Sequence, residues 1–337
     1  MNAPDPHRHD PRAGLAEFAS RGMMSPMRTI PDRWKGAVLA TLGGIGWGVS
    51  GSVGQILFTA EGMSSRWLVP VRLGLAGILL LAWEFLNHGR KTVAPWKTRR
   101  DRIDLLIYGI AGVSMCQYFY FRTIELSDAA IGTILQDLSP VFILIASSAV
   151  LHKLPSVFEY AAVALALAGV FFLSTHGDIR HLAIDSKALL TGILSAVCVT
   201  IYNVYPRRLL SSFPLTVLQG WAFLLGALFF IPVFQPARYY VPLSGTGLLG
   251  IAVVVLIGNI FSFLCYMEGV KRIGPKRSIL YGFSEPASAA LITVLLFHQP
   301  FSGYDVLGFF LIFASIALIS FSPEEKQPES IDHQLPE

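Results

Sequence analysis

Apolar residues run along most of this chain in stretches of about twenty, separated by short polar segments. A bilayer's hydrocarbon core is about 30 Å thick and takes about twenty apolar residues to cross as a helix. Measured against that length, the runs fall near residues 37–58, 67–87, 104–122, 129–150 and 158–175, and then near 188–206, 214–234, 246–267, 278–297 and 304–322. The pattern predicts an all-α polytopic membrane protein of ten transmembrane helices. Residues 1–33 carry scattered Pro, His, Arg and Asp with no apolar segment, and read as a flexible cytoplasmic tail rather than a cleaved signal peptide. Residues 323–337 read as a second flexible tail on the same side.

The pattern also repeats. Moving the chain along itself by 146 residues lays Gly112 on Gly258, Tyr120 on Tyr266, Pro140 on Pro286 and Ser174 on Ser320, and the boundaries of the runs coincide over about sixty residues. This divides the chain into two five-helix repeats, 34–175 and 176–322. Five is odd, so the second repeat crosses the membrane in the opposite sense to the first. Positive charge near span ends marks the cytoplasmic side. With the N-terminus inside, 20 Lys and Arg residues fall on inner segments and five on outer ones, which puts both termini in the cytoplasm. Inverted repeats are the frame on which many secondary transporters build alternating access, with the substrate near the midplane in a cavity between the repeats.

Composition sharpens this picture. Hydrophobic residues make up 53% of the chain and charged residues 14%, against about 25% charged in an ordinary soluble domain. The lipid bilayer is therefore an expected partner, and the net charge of +4 reflects topology rather than a nucleic-acid partner. Cys116, Cys198 and Cys265 lie in apolar runs without a CxxC or a neighbouring His, so no disulfide framework or metal site is expected. All eight histidines fall in tails or at span ends, and no phosphate loop or HExxH is present. An enzyme, or a protein with a cofactor, is not expected.

One stretch, "GGIGWGVSGSVGQ" at residues 43–55, imitates a dinucleotide fingerprint and a membrane-protease serine motif. The first needs a strand before its glycines, and the second a histidine in the membrane. On a helix, Gly44, Gly48, Gly51, Ser52, Gln55 and Thr59 instead form one small or polar stripe, opposite Leu42, Ile45, Val49, Val53, Ile56 and Leu57. The stripe reads as a helix-packing surface and the opposite side as a lipid face.

Ionisable groups deep in membrane helices usually face a partner or a watery path. Asp137 lies nine residues beyond Asp128, roughly 14 Å along the fourth helix, and Glu285 lies eight residues beyond Arg277. Each stands near a proline, Pro140 or Pro286, that frees a carbonyl and permits bending. These four, with Arg72, are candidates for coupling and gating, and the two acids also for binding a cationic substrate group. The plainer reading is that the acids only pin helices together through hydrogen bonds. Glu285 aligns with Ser139, so the two acids are about 200° apart in helical phase and need not form a symmetric pair. Arg72, about six residues into the second span, either snorkels outward or binds a carboxylate or an embedded acid. Trp47 and Gln55, Gln117, Tyr118 and Tyr120, Tyr202 and Asn203, Trp221, Asn259, Tyr266 and Tyr281 are candidate substrate contacts, because such side chains pair an apolar body with a polar tip. Trp34, Trp67, Trp83, Trp96 and Tyr239 read as interfacial anchors.

Over residues 37–322 the sequence resembles the EamA-type transporters of the drug/metabolite transporter superfamily. The resemblance rests on "GIGWGVSG", on Arg72 in "VPVRLGLAGILLL" and on "DLSPVFILIASSAVLHKLPSVFEYAAVALALAGVFFL". In the second repeat it rests on "YMEGVKRIGPKRSILYGFSEPASAALITVLLFHQPFSGYDVLGFFLIFASIALI". It implies ten helices around a central cavity and the movement of small metabolites such as amino acids, nucleobases or vitamins. The chain departs from the pattern with Lys153 and Gln299 where relatives often place Glu, and with Ser315 where Gly is frequent. The expectation is a secondary transporter, an exporter, of small amphipathic metabolites, amino-acid-like or aromatic, with protons as a coupling partner. Two alternatives stay open: a carrier of organic cations, and a lipid-handling or scaffold protein without solute turnover. Oligomeric state is open.

Overall fold

The computed structural model describes residues 30–127, 129–139, 142, 143, 146, 156–175, 185–297 and 303–321, and among these every regular element is a helix. The α-helices of eight residues or more are, in chain order, α1 (Ile30–Thr59), α2 (Ser65–His88), α3 (Arg99–Leu126), α4 (Ala129–Gln136), α5 (Val157–Thr175) and α6 (Ser186–Val204). There follow α7 (Leu215–Phe234), α8 (Gly245–Ile273), α9 (Pro275–Gly282), α10 (Ser284–Phe297) and α11 (Gly303–Phe321). Among the described residues six stretches are long and apolar enough to cross a membrane: Asp32–Thr59, Ser65–Trp96, Arg99–Leu126, Ser186–Ser212, Leu215–Phe234 and Gly245–Ile273. Large side chains such as Leu42, Ile78, Leu249 and Phe310 are exposed on the helices. A belt of this kind is a liability in water and the natural outer surface in lipid.

The helices overrun the apolar runs because their ends are capped by polar groups. The Ser64 hydroxyl accepts from the Arg66 amide at the start of α2, the Thr98 hydroxyl accepts from the Asp101 amide at the start of α3, and Ser244 does the same for Gly247 in α8. Each satisfies an amide that the first turn leaves without a carbonyl. Gly89, with φ 55°, ends α2 in a left-handed conformation that only glycine adopts freely.

Packing runs mostly between early and late helices: α1 lies against α8 and α10, α2 against α7, α3 against α6 and α7, and α5 against α11. For α1 this corrects the single seam expected from sequence. Gly44 and Gly48 do face the α9–α10 junction and α10, where a Cβ on Gly44 would meet the Gly282 carbonyl at 2.7 Å and one on Gly48 the Ala289 amide at 2.9 Å. Gly43, outside the predicted stripe, faces α8, where a Cβ would lie 2.8 Å from the Cβ of Tyr266. Leu57, assigned to the lipid face, is buried against Gly250. A helix wedged between two neighbours has two protein faces, so one small stripe cannot describe it. Gly51 faces Tyr120, and Ser52 is buried.

Two irregularities recur. The middle of α3 (Ile107–Ser114) and the middle of α8 (Val254–Phe261) are π-helical. The predicted fourth and ninth spans, continuous from 129 and from 278, are each interrupted: α4 stops at Gln136 and gives way to a turn at Asp137 and Leu138, and Phe283 separates α9 from α10. Asp137 and Phe283 are 146 positions apart, the offset of the repeat. Pro286 in the first turn of α10 explains the second break, because it lacks the amide that would bond the Gly282 carbonyl. Phe283 is buried with Ala162, Ala166 and Ile312, which anchors the break to α5 and α11. Pro140, Lys153 and Gln299 lie outside the described residues, as do both predicted tails apart from the start of α1.

Candidate functional site

The site begins with one face of α3. Cys116, Gln117, Tyr120 and Phe121 follow the i, i+1, i+4, i+5 spacing that stacks side chains on one side of a helix. All four are buried, and they line a cavity completed by Trp47 and Ser50 of α1, Arg72 of α2, Gln136 of α4, Tyr202 of α6, Phe263 of α8 and Glu285 of α10. The space inside is about 10 Å³, room for about one water molecule.

Arg72 is 1% exposed, so the snorkelling reading is wrong: the side chain turns inward, where polar partners on two other helices are offered. Its guanidinium donates to the amide oxygens of Gln117 and Asn259, with Nε to Asn259 Oδ1 at 2.8 Å. Its carbon Cζ lies 3.9 Å from the centre of the Phe121 ring, a cation–π contact. Opposite in sign, Glu285 stands in the first turn of α10, and its Oε1 accepts from the Tyr120 hydroxyl at 2.9 Å. That hydroxyl also lies 3.4 Å from the Thr133 hydroxyl of α4. Arg72 Nη1, Trp47 Nε1 and Ser50 Oγ are buried with no hydrogen-bond partner among the described residues. The cavity therefore holds one fixed cation, one carboxylate and a set of unused donors, in surroundings where each is costly to bury unless satisfied.

Of the sequence-predicted candidates, Trp47, Arg72, Gln117, Tyr120, Tyr202 and Glu285 meet at this cavity. A supporting layer lies behind them. Tyr266 packs its ring 4.8 Å from that of Trp47 and donates to Asn203 Oδ1 at 3.0 Å, while Asn203 donates to the Val199 carbonyl at 2.8 Å. Asp137 is buried at the end of α4, its amide bonded to the Thr133 carbonyl at 2.8 Å. Gln55 sits further along α1, accepting from the Ala129 amide at 3.1 Å. Tyr281 is half-buried beside the break, and Pro286 is buried just after it.

Two candidates stand apart. Trp221 donates to the Thr92 carbonyl at 2.8 Å and packs its ring 5.1 Å from that of Trp96. Tyr118 turns away from the cavity into a second hollow with Arg66, Val233, Phe234 and Tyr239. Sequence reasoning passed over Gln136, Phe121 and Phe263, and took Cys116 for a plain core residue. The spacing on α3 was the signal that could have added Cys116 and Phe121 to Gln117 and Tyr120. No group of three or more His, Cys, Asp or Glu among the described residues could hold a metal ion.

A bundle of apolar helices around a buried, charged cavity defines a class: a polytopic membrane protein with a small polar centre. The EamA-like transporter family matches residues 34–175 and again residues 186–321. The chain belongs to that family and is a membrane transporter. It is 34% identical over 293 residues to the "Uncharacterized inner membrane transporter YicL" of Salmonella typhimurium, covering 87% of this chain and 97% of that protein. It is 22% identical to the "Uncharacterized transporter YyaM" of Bacillus subtilis over 74% of this chain and 82% of that one. A solved crystal structure shares the fold, with a TM-score of 0.67, 19% identity, and coverage of 83% of this chain and 96% of the other.

Proposed function

We propose that the chain is a secondary transporter that exports small amphipathic metabolites, amino-acid-like or aromatic, by alternating access. In this reading ten helices form two inverted five-helix repeats, 34–175 and 176–322, in a bacterial inner membrane with both termini cytoplasmic. The observation that carries it is the pair of helix breaks at Asp137 and Phe283, one repeat offset apart. Interrupted helices with ionisable groups at the interruption are what a transporter uses to hold a solute and bend around it. The two separate family matches and the π-helical stretches in α3 and α8 support the repeat. The name of the Salmonella relative supports the inner membrane.

Asp137 and Glu285 are the proposed proton carriers, and Pro140 and Pro286 the proposed bending points. A cavity of about 10 Å³ is too small for a metabolite, so turnover requires the breaks to move. The reading as a carrier of organic cations rests on two embedded acids against one embedded arginine; at the cavity itself one acid, Glu285, stands with Arg72, which weighs against it. The test is uptake into proteoliposomes of the purified chain. A pH jump should drive uptake of an accepted amino acid, and its failure to do so for any accepted substrate removes proton coupling. No movement of any solute, with no ligand-dependent thermal shift, would favour a lipid-handling or scaffold role instead.

A further inference from the structure

We propose that the cavity docks a zwitterion by its two ends, the carboxylate on Arg72, Trp47 and Ser50 and the ammonium on Glu285, so that Arg72 decides which solutes are accepted. This rests on the transporter reading above. The unused groups at the cavity can all donate: Nη1 of Arg72, Nε1 of Trp47 and the hydroxyl of Ser50. Arg72 and Ser50 are 1% and 2% exposed, and bulk water does not serve them. Several donors converging from α1 and α2 call for a ligand group with more than one acceptor oxygen, and a guanidinium edge matches a carboxylate in particular.

The groups that hold Arg72 are neutral amides and a ring face, which fix its position without cancelling its charge. Glu285 supplies the matching acceptor on the same cavity, with one oxygen engaged by Tyr120. An amine would leave the arginine, and a simple acid the glutamate, as an excess charge inside a poorly polar interior, so the site selects against both. A molecule that carries both charges leaves no excess. Tyr202 and Phe263 give its apolar part a wall.

Counterflow in proteoliposomes of the full chain tests this with two matched sets of probes. The first is phenylalanine, phenethylamine and 3-phenylpropionate; the second is leucine, isoamylamine and 4-methylpentanoate. On at least one skeleton the amino acid should compete about a hundredfold better than its amine and its acid, as expected where a site's buried polar groups lose their partner. Arg72→Gln should bring amino acid and amine to within about tenfold of each other by weakening the amino acid alone, and Arg72→Lys should restore part of the difference. A residue that only braces α2 against α3 and α8 would weaken all three probes together, and that result overturns the proposal. If Arg72→Gln does not fold, Glu285→Gln decides: it should bring amino acid and acid together instead. Transport of amines in preference to amino acids on both skeletons sinks this proposal and leaves the transporter reading standing. Absence of turnover for every probe and every other solute sinks the transporter reading itself.

Discussion

Glu285 accepts a hydrogen bond from Tyr120 through one carboxylate oxygen, and a glutamine amide oxygen can accept the same bond without the charge. Glu285→Gln therefore separates shape from ionisation. We expect pH-driven uptake to fall tenfold or more, about 1.4 kcal/mol or more, while exchange driven by the substrate's own gradient persists at saturating substrate, with weakened affinity; flux assays with and without a pH step read the difference. Gly48 tests contact rather than charge. Any side chain there would enter the space of Ser288 and the Glu285 carbonyl on α10, and overpacking of this kind costs about 1–3 kcal/mol. Gly48→Leu should lower the melting temperature and stop transport, whereas Gly245→Ala, with no neighbouring atom within 4 Å, should leave both near wild type. Full activity in the leucine variant would contradict the seam. Arg72 and Glu285 could be singled out in the sequence because lipid makes a charge conspicuous in any apolar run, although the inward turn of Arg72 could not. Which way Tyr118 or Trp221 pointed was not, because α7 is apolar nearly all round and the face of α3 follows from packing partners that a single sequence does not list.

At the scale of elements, the contact between the α1–α2 turn and the start of α8 is set by hydrogen bonds to one carboxylate. Ser244 and Thr246 each donate to Glu61 at 2.6 Å and hold it below the usual carboxylate range. A lowered pKa means the contribution is complete above the ordinary carboxylate value and is lost as the pH falls through the lowered one. Spin labels at Ala60 and Gly245 should keep their spacing from neutral pH down through the ordinary range and separate only below it. Glu61→Gln should abolish that step, and a step in the glutamine variant would assign it to another group. The existence of the helices was legible from hydropathy, but their ends were not. Capping by Ser64, Thr98 and Ser244 carries them past the apolar runs. The break at Asp137 was only half visible, since a nearby proline announces a bend without saying where the hydrogen bonds stop.

For the whole molecule, charge asymmetry is the feature from which the proposed topology was read, and labelling can check it. In a variant freed of Cys116, Cys198 and Cys265, Tyr240→Cys should react with an impermeant maleimide from outside the cell and Lys97→Cys only after lysis. The reverse pattern would invert the proposed orientation. The closed centre has a consequence of a different kind. A membrane that stores energy as an ion gradient loses some of it through every carrier that stands open, whether or not solute is present. Here Trp47, Phe121 and Tyr202 line a space of about 10 Å³, and Arg72 places a positive charge beside it. A centre with room for about one water gives an ion no hydrated path, so the aromatic residues that shape the site would also keep an idle transporter from discharging the membrane around it.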